Sequence, residues 1–473
     1  MDTADGHYRM GGTDTLMWRV SDDIHLRSDV ISVWLLDREP EWQRFWACCQ
    51  RAVRRYPVLS CRAVEPRWGL GAAVWMPDPE FQLARHVHAL RLAEPGTPRQ
   101  LLNLLEWQEC TGLERDRPPW QALLVGGYQQ DKAALVIRHN HSLADGVSAV
   151  SVFTDLFGSP SEGRPAAQVP TAITRTTTAS RRRYSRAVSQ VVVDLGTVPR
   201  ESGRLARSVS AGVRGALRRP GAAADRSLRL LRSLEQAGPP FRGSRLLRRR
   251  NTVPHYEVVP VPVTELKQAA KAVGVSVTAL LLSLVLGAFA DYHRHFRHDE
   301  RSLTVAVPVN LQPVDRPRLG NHVGVLRLHG PLTDLSPAER ARLVNQRLLR
   351  ARANVVTELF PALSGIGSWI PGPLVRNATV ALSHGIDLMA SSFFGPPPAS
   401  HVAGARVTGA MAFAPRGGIA CNATMITMGE ECAVCLNLDP AAFLDIALVI
   451  DLFEQQLARL PALAERTRAP GIG

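Results

Sequence analysis

Apolar and polar positions along the chain follow strand-like and helix-like periods in two separate regions. In the first region, residues 30–36 (VISVWLL) and 132–141 (KAALVIRHNH) have the length and apolar content of strands, and residues 41–56 place apolar side chains at helical spacing. The other predicted elements are helices over 101–110, 146–157, 264–295 (two helices) and 440–460, and strands over 120–126, 255–263, 303–309, 323–328, 407–414, 420–428 and 432–438. The pattern predicts two mixed α/β halves.

A different composition separates these halves. Residues 161–250 are rich in Arg, Ser, Ala and Gly, and within them residues 204–219 carry four apolar residues spaced by four, namely Leu205, Val209, Val213 and Leu217. Arg residues fill much of the remaining surface of that segment, which predicts a basic amphipathic helix. It is either a solvated linker helix or a contact with an anionic membrane or lipid droplet. The predicted segments are therefore 1–160, 161–250 and 251–473.

Composition and charge narrow the class of protein. The 473 residues are 45% hydrophobic and 21% charged, which is typical of a globular chain and excludes a disordered one. The net charge of +14 comes entirely from residues 161–250, where 20 Arg face 5 acidic residues, and the whole chain has only three Lys. Zinc-finger spacing and interleaved aromatic and basic residues are both missing from the sequence, so no nucleic-acid partner is predicted.

The cysteines and the apolar segments indicate in which cellular compartment the protein resides and whether it crosses a membrane. Seven scattered Cys form no disulfide framework, which indicates a reducing environment, and the N-terminal residues show no apolar signal segment; we therefore predict a cytoplasmic protein. Cys432 and Cys435 should point to opposite faces of a strand, so no metal site is predicted there. Residues 272–290 carry no charge and could be a membrane span, but their Gly, Ser and Thr favour a buried core helix.

The strongest chemical signal lies in residues 133–146 (AALVIRHNHSLADG). Alternation along the predicted strand places His139 and His141 on one face and Asn140 on the other. The strand stops at a turn sequence, so His141 can be directed into a cleft, where the near-neutral pKa typical of histidine suits a general base. A buried structural histidine beside a turn is the alternative.

The residues after His141 support this loop. Asp145 is close enough in sequence to brace the loop that carries the imidazole, and Gly146 allows a tight backbone passage. The chain has no G-x-S-x-G elbow, no G-x-x-x-x-G-K-[ST] phosphate loop and no H-E-x-x-H zinc motif. A covalent nucleophile, a nucleotide-binding loop and a zinc hydrolase site are therefore not predicted.

Residues 140–146 (NHSLADG) resemble the HHxxxDG motif of coenzyme A-dependent acyltransferases. Further segments resemble, in the same order, those of the bacterial wax ester synthase/diacylglycerol acyltransferase family. They are residues 12–14 (GTD), 81–95 (FQLARHVHALRLAEP), 113–120 (LERDRPPW), 319–321 (LGN), 391–396 (SSFFGP) and 404–409 (GARVTG). Together they cover nearly the whole chain except residues 161–250.

The resemblance implies a fold and a reaction. The fold would be two chloramphenicol acetyltransferase-like α/β halves with a substrate tunnel between them, joined by a long Arg-rich helical linker. His141 would take the proton from diacylglycerol or a long-chain alcohol, whose oxygen attacks the thioester of acyl-CoA to give triacylglycerol or wax ester. Asp145 would hold the loop, with Asn140 and Gly146 supporting the motif. No bound cofactor and no metal are implied, and acyl-CoA is the co-substrate.

Several positions depart from the family pattern. Asn140 replaces the first His of the motif, and Thr278-Ala279 stands where Asn-Asp is usual. Further departures are Ser392 for Asn, Phe394 for Pro and Pro119 for Leu. These departures bear mainly on substrate identity.

Two alternative functions therefore stay open. One is an acyltransferase or condensation-type enzyme acting on a specialised metabolite. The other is a non-catalytic relative that binds lipid surfaces through the helix within 161–250. For the protein in general, a peripheral position on the inner face of the plasma membrane is the alternative to a purely cytoplasmic one. Asn140 is a weak candidate for an oxyanion donor, and His139 is either a packed neutral histidine or part of a tunnel wall.

Overall fold

The computed structural model describes residues 8–66, 69, 71–144, 243–310, 323–352, 370 and 372–465. Its helices are α1 Gly12–Val20, α2 Trp42–Arg55, α3 Pro98–Thr111, α4 Val263–Val273, α5 Val277–His295, α6 Pro337–Arg352, α7 Gly372–Ser383, α8 Ile446–Leu457 and α9 Leu460–Glu465. Its strands are β1 Tyr8–Arg9, β2 Asp29–Leu36, β3 Cys61–Val64, β4 Val74–Pro77, β5 Val87–Arg91, β6 Trp120–Tyr128, β7 Lys132–Asn140, β8 His255–Pro260, β9 Ser302–Asn310, β10 Val323–Pro331, β11 Leu388–Phe394, β12 His401–Val402, β13 Ala405–Phe413, β14 Cys421–Met428 and β15 Glu431–Leu438.

The first half is built on a sheet with the strand order β12-β13-β2-β7-β6-β5. β2 lies between β7 and β13 and is antiparallel to both, with Asp29 opposite Asn140 and Trp34 opposite Ala410. Two strands of this sheet, β12 and β13, therefore come from the predicted segment 251–473. Because this sheet contains strands from both halves, its backbone hydrogen bonds join the two halves to each other.

Alternation along β7 explains why both faces of this sheet are covered. Leu135 and Ile137 pack on the side of α2, whose Phe45 and Cys49 are buried in the same cluster. Val136 faces the other side, where α3 packs. A strand that is apolar on both faces is expected at the centre of a sheet with helices on each side.

The second half is built on a sheet with the order β10-β9-β11-β14-β15-β8. One face is covered by α5, which packs against α6 and α8 and is buried from Ala279 to Ala290. The helix starts after Ser276, whose hydroxyl oxygen accepts the Ala279 N–H at 3.2 Å. The uncharged run 272–290 is thus mainly a core helix, as its polar residues favoured.

The same run also has the length and apolar content that a membrane span requires. Among the described residues, no single helix has the length and apolarity to cross a bilayer; α4 and α5 pass that test only as a pair, and they meet at an angle of 100°.

A third cluster of buried side chains lies between the halves. It combines Ile31 and Val136 of the first sheet with Tyr256 and Ile426 of the second, and the rings of Tyr256 and Phe413 stack with centroids 4.0 Å apart. We call this inter-half cluster the seam. Two sheet-rich α/β halves joined at a seam confirm the predicted fold class; the linker falls on residues outside those described, apart from 243–250.

Most predicted elements are confirmed, but some boundaries differ. The strand predicted over 255–263 ends at Pro260, and Val263 already belongs to helix α4. The closing helix was predicted over 440–460, but α8 begins only at Ile446, because the Asp445 carboxylate caps it by accepting the Leu448 N–H at 2.9 Å. Cys432 lies in the core of the second half and Cys435 in the seam, so their opposite orientation is confirmed. The predicted helices over 146–157 and 204–219 lie outside the described residues.

Candidate active site

The motif strand β7 ends at Asn140, one residue earlier than predicted, and His141 is the first residue of the turn that follows. The His141 N–H donates to the Ser28 carbonyl oxygen at 2.7 Å, and the Leu143 N–H donates to the Asn140 carbonyl oxygen at 2.9 Å. The His141 side chain is half-buried. The backbone of the turn is therefore tied to β2, while the imidazole keeps some access.

His139 occupies a different environment two residues earlier on the strand. Its side chain is 0% exposed, and burial lowers the pKa of His139 to about 3, with a smaller contribution from His141; a hydrogen bond with the Ala144 backbone acts in the opposite direction. His139 is therefore a packed neutral histidine, as the sequence favoured.

Asn140 is buried, and its carboxamide is fully engaged. The amide donates to Asp29 Oδ1 and to Ser21 Oγ, each at 3.1 Å. Its oxygen accepts the Ser142 N–H at 3.1 Å and the Ser142 hydroxyl at 2.7 Å. Both donors and both lone pairs are used. Both Asn140 N–H groups thus bind protein partners in this structure, which argues against Asn140 as an oxyanion donor.

An ion pair on the same face of the sheet was missed by the sequence analysis. Arg138 Nη2 lies 2.9 Å from Asp29 Oδ2, and both side chains are nearly inaccessible to solvent. Arg138 also donates to Gln108 Oε1 and Thr111 Oγ1 of α3, each at 3.3 Å. Arg138 is thus a structural residue of the sheet. The alternation of the strand indicated its face, but no local pattern points to Asp29 as its partner.

Buried polar groups continue from this pair across the seam. The Tyr256 hydroxyl donates to Glu109 Oε2, and Asn437 Nδ2 donates to the same oxygen at 3.0 Å. Burial raises the pKa of Glu109, although these two donors and the nearby Arg416 act in the opposite direction. Arg416 itself pairs with Asp439 at 2.7 Å. The seam next to the motif is therefore a hydrogen-bonded polar region that links the two halves.

Two segments that carried the family resemblance meet behind the motif strand. The His86 ring stacks between Phe81 and Trp120, with both centroid distances 5.1 Å, and His86 Nδ1 donates to the Trp120 carbonyl oxygen at 2.9 Å. The next residue back, Pro119, accepts the Asn140 N–H at 2.9 Å. Packing between these segments thus supports the end of β7.

Two of the departures from the family pattern also come together. Thr278, in the first turn of α5, places its hydroxyl oxygen 3.5 Å from that of Ser392 on β11. Both residues line a cavity of about 20 Å³, with Leu282, Val285 and Met425 among its apolar walls. That volume is close to the space one water molecule needs. The two substitutions therefore act on one place in the second half.

A larger cavity lies in the seam. Its volume is about 490 Å³, and its walls include Leu35, Leu102, Met411 and Ile426, with Arg99 and Glu257 at its rim. Leu35 is six residues from Asp29 on β2, which corresponds to about 20 Å at the rise of a strand. The cavity and the motif are therefore at different ends of the same boundary between the halves.

Part of the predicted site lies outside the residues that the structure describes. Asp145, Gly146 and residues 319–321 lie outside the described residues, so the role of Asp145 stays a prediction. Among the residues that the structure describes, no group of three or more His, Cys, Asp or Glu side chains is arranged to hold a metal ion.

Comparison with known proteins gives two family matches. Residues 8–281 match the wax ester synthase/diacylglycerol acyltransferase catalytic domain, and residues 319–461 match the corresponding C-terminal domain. A Mycobacterium tuberculosis protein with the provisional name diacylglycerol O-acyltransferase is 27% identical over 462 residues, covering 96% of this chain and 92% of that protein. The two family matches include the motif strand and every strand of the two six-stranded sheets except β9.

Solved structures share the fold at lower identity. The wax ester synthase/diacylglycerol acyltransferase of Marinobacter aquaeolei has a TM-score of 0.60 and 19% identity, covering 96% of this chain and 99% of that one. The trichothecene 15-O-acetyltransferase of Fusarium sporotrichioides has a TM-score of 0.62 and 12% identity, covering 98% and 96%. At these identities the likeness concerns the arrangement of the two halves.

Proposed function

Because the chain belongs to the wax ester synthase/diacylglycerol acyltransferase family, we propose that it transfers a fatty acyl group from acyl-CoA to diacylglycerol or to a long-chain alcohol. The observation that carries this proposal is the position of His141. It is half-buried in a turn held by hydrogen bonds at the end of the motif strand, whereas His139 on the same strand is fully buried. Of these two histidines, His141 is the one suited to proton transfer with a substrate.

In the proposed reaction, the unprotonated imidazole of His141 takes the proton of the acceptor hydroxyl. The hydroxyl oxygen attacks the thioester carbonyl carbon and forms a tetrahedral intermediate with a negatively charged oxygen. The carbon–sulfur bond then breaks, and the leaving thiolate receives the proton from the imidazolium, which gives an ester and free CoA. Asp145 holds the loop in this scheme and transfers no proton.

The electrostatic surroundings of His141 support a role as base. Burial keeps His139 neutral at physiological pH, so it places no fixed positive charge beside His141. A charged neighbour would oppose the protonation of His141 by repulsion. The buried histidine therefore assists the base by remaining uncharged.

Direct transfer without an acyl-enzyme is consistent with the cysteine thiols. Burial raises the pKa values of Cys49, Cys61, Cys421 and Cys435 to about 12, so these thiols stay protonated and poorly nucleophilic. Since the sequence also has no serine elbow, the acceptor alcohol is the natural nucleophile. We propose that no bound cofactor takes part.

The apolar parts of the substrates need space between or within the halves. The 490 Å³ seam cavity is within the size range of ligand pockets and has mainly apolar walls, which supports binding of an aliphatic chain there. Thr278 and Ser392 replace usual family residues at one place in the second half, and this change bears on which acceptor alcohol is used. A specialised-metabolite acceptor is therefore the second candidate.

We also propose a peripheral lipid contact through residues 204–219 on the cytoplasmic side of the membrane. Acceptors such as diacylglycerol reside in lipid, and the Arg residues of this segment suit an anionic surface. This contact would bring the enzyme close to the acceptor alcohol in the membrane.

The test is an acyl-transfer assay on the purified full chain with palmitoyl-CoA and either diacylglycerol or a fatty alcohol. We expect release of free CoA and formation of an ester, both abolished by His141→Ala and retained by His88→Ala, which changes an exposed histidine. Activity that survives His141→Ala would remove His141 as the base. Absence of release with both acceptors would reject the lipid acceptors, and a mass-spectrometric acceptor screen would then test the specialised-metabolite alternative.

A further inference from the structure

The turn that carries His141 is fastened by the side chain that precedes it. We propose that Asn140 is a positioning residue: its carboxamide clamps the turn to Asp29 of β2 and to Ser21, the residue that follows α1, and so holds the His141 imidazole in place. This inference rests on the proposed function of His141. It also gives a reason for the departure from the His-His pattern, because asparagine performs a role here that histidine cannot.

The hydrogen-bond capacity of the two residue types decides this point. The Asn140 side chain makes four hydrogen bonds, two as donor and two as acceptor. An imidazole has two ring nitrogens and can make at most two such bonds. A histidine at this buried position would leave at least two of the four groups bound here without this hydrogen bond; the four are the Ser142 N–H, the Ser142 hydroxyl, Asp29 Oδ1 and the half-buried Ser21 hydroxyl. A buried polar group left unpaired costs about 1–3 kcal/mol.

The anchor of the clamp is a buried ion pair. Asn140 and Asp29 are cross-strand partners, and the Asp29 carboxylate is shared between the Asn140 amide and Arg138 Nη2. Arg138 is held in turn by two side chains of α3, Gln108 and Thr111. The clamp therefore connects the turn to a buried ion pair rather than to a mobile surface group.

The consequence for His141 follows from the geometry on both sides of it. The residue before it is held by the clamp, and the residue after it, Ser142, binds the Asn140 oxygen through its N–H and its hydroxyl. The His141 N–H itself donates to Ser28. The backbone at position 141 therefore has little freedom. Because misplacing a catalytic group by about 1 Å costs about 100-fold in rate, this restriction matters for catalysis.

The first experiment compares kcat and KM. We expect Asn140→Ala to lower kcat by about 10- to 100-fold and to change the KM for palmitoyl-CoA by less than about twofold. The matched control is Gln456→Ala, which removes another buried carboxamide, one that donates to Asp291 in the second half. A comparable thermal destabilisation with unchanged kcat is expected for the control. An equal fall of kcat in both variants would refute the clamp.

Two further substitutions separate positioning from general destabilisation. Asn140→His restores the family residue, yet we expect lower activity than in the natural chain; equal or higher activity would overturn the inference. Asn140→Asp keeps the acceptor for Ser142 but puts a second carboxylate beside Asp29, with Arg138 as the nearby positive charge. Either the new Asp side chain at position 140 or Asp29 must then hold a proton, so that the hydrogen bond between these two side chains can form. The ratio of Asn140→Asp to unsubstituted kcat should therefore rise as pH falls, and a pH-independent ratio would contradict the clamp.

Hydrogen exchange tests the clamp independently of acyl transfer. The amides of residues 141–143 should exchange faster in Asn140→Ala than in the unsubstituted chain, because the turn loses its side-chain fastening. Unchanged exchange rates would refute the clamp even if His141 is the base. If instead His141→Ala keeps full activity, the proposed function fails, and the exchange experiment still decides whether Asn140 holds the turn.

Discussion

The buried histidine next to the proposed base should give the fold a measurable sensitivity to acid. Burial lowers the pKa of His139 from 6.5 to about 3, so the folded chain resists protonation at this position while the unfolded chain accepts it. The unfolded state therefore binds more protons below about pH 6.5, and stability falls as pH falls. Above that pH both states are neutral at this position, and it contributes no pH dependence.

The size of the effect follows from the shift. Each pH unit below about 6.5 should cost about 1.4 kcal/mol until the pH approaches 3. Between about pH 7 and pH 4.5 the loss attributable to His139 is therefore about 2–3 kcal/mol. The substitution His139→Leu removes the titrating group from a buried strand position paired with Val30 and Trp120, and it should abolish this contribution.

The measurement is urea unfolding followed by tryptophan fluorescence at several pH values for both proteins. The free energy of unfolding of the unsubstituted chain minus that of His139→Leu should decrease by about 2–3 kcal/mol from about pH 7 to pH 4.5. Other titrating groups act on both proteins and cancel in this difference. Parallel pH profiles would show that His139 is accessible to protons in the folded state, and the explanation of its neutrality would be wrong.

Two further predictions concern an ion pair and the lipid contact. Arg138→Met leaves the Asp29 carboxylate buried without its cation, so we expect a loss of about 3–5 kcal/mol in the free energy of unfolding, measured with urea; a loss below about 1 kcal/mol would contradict the buried pair. Replacing the Arg residues within 204–219 by Gln should weaken sedimentation with anionic vesicles by about 1 kcal/mol per residue, and added salt should weaken it too. Binding that does not respond to salt would count against the surface helix.

Sequence-based prediction is most accurate for helices and strands whose apolar pattern lies within the element itself. The α2 helix and the strand β2 appear within one or two residues of their predicted bounds, because each buries a face whose period the sequence carries directly. The error at α8 has a local cause as well. Its apolar period continues backwards past the true start, and the Asp445 cap decides where the helix begins.

In the candidate site, too, the local pattern predicted some features, whereas others depend on how the strands pair. The motif indicated His141 and its strand, and alternation placed Asn140 on the opposite face from His139. Alternation could not reveal that the Asn140 amide is already bound, nor that Asp29 is its partner. Those facts depend on which strand lies beside β7 and in which register.

The sequence by itself determined the two α/β halves, the family and the histidine on which the chemistry is proposed to depend, since periodicity and motifs are written in neighbouring residues. Tertiary structure alone decided that β13 completes the first sheet, that Arg138 is occupied by a carboxylate, and that Asn140 fastens the turn. The physical reason is the distance along the sequence between the residues that interact. A strand's period reflects its own backbone and the burial of its faces, whereas a hydrogen-bond partner more than one hundred residues away is selected only when the sheets assemble.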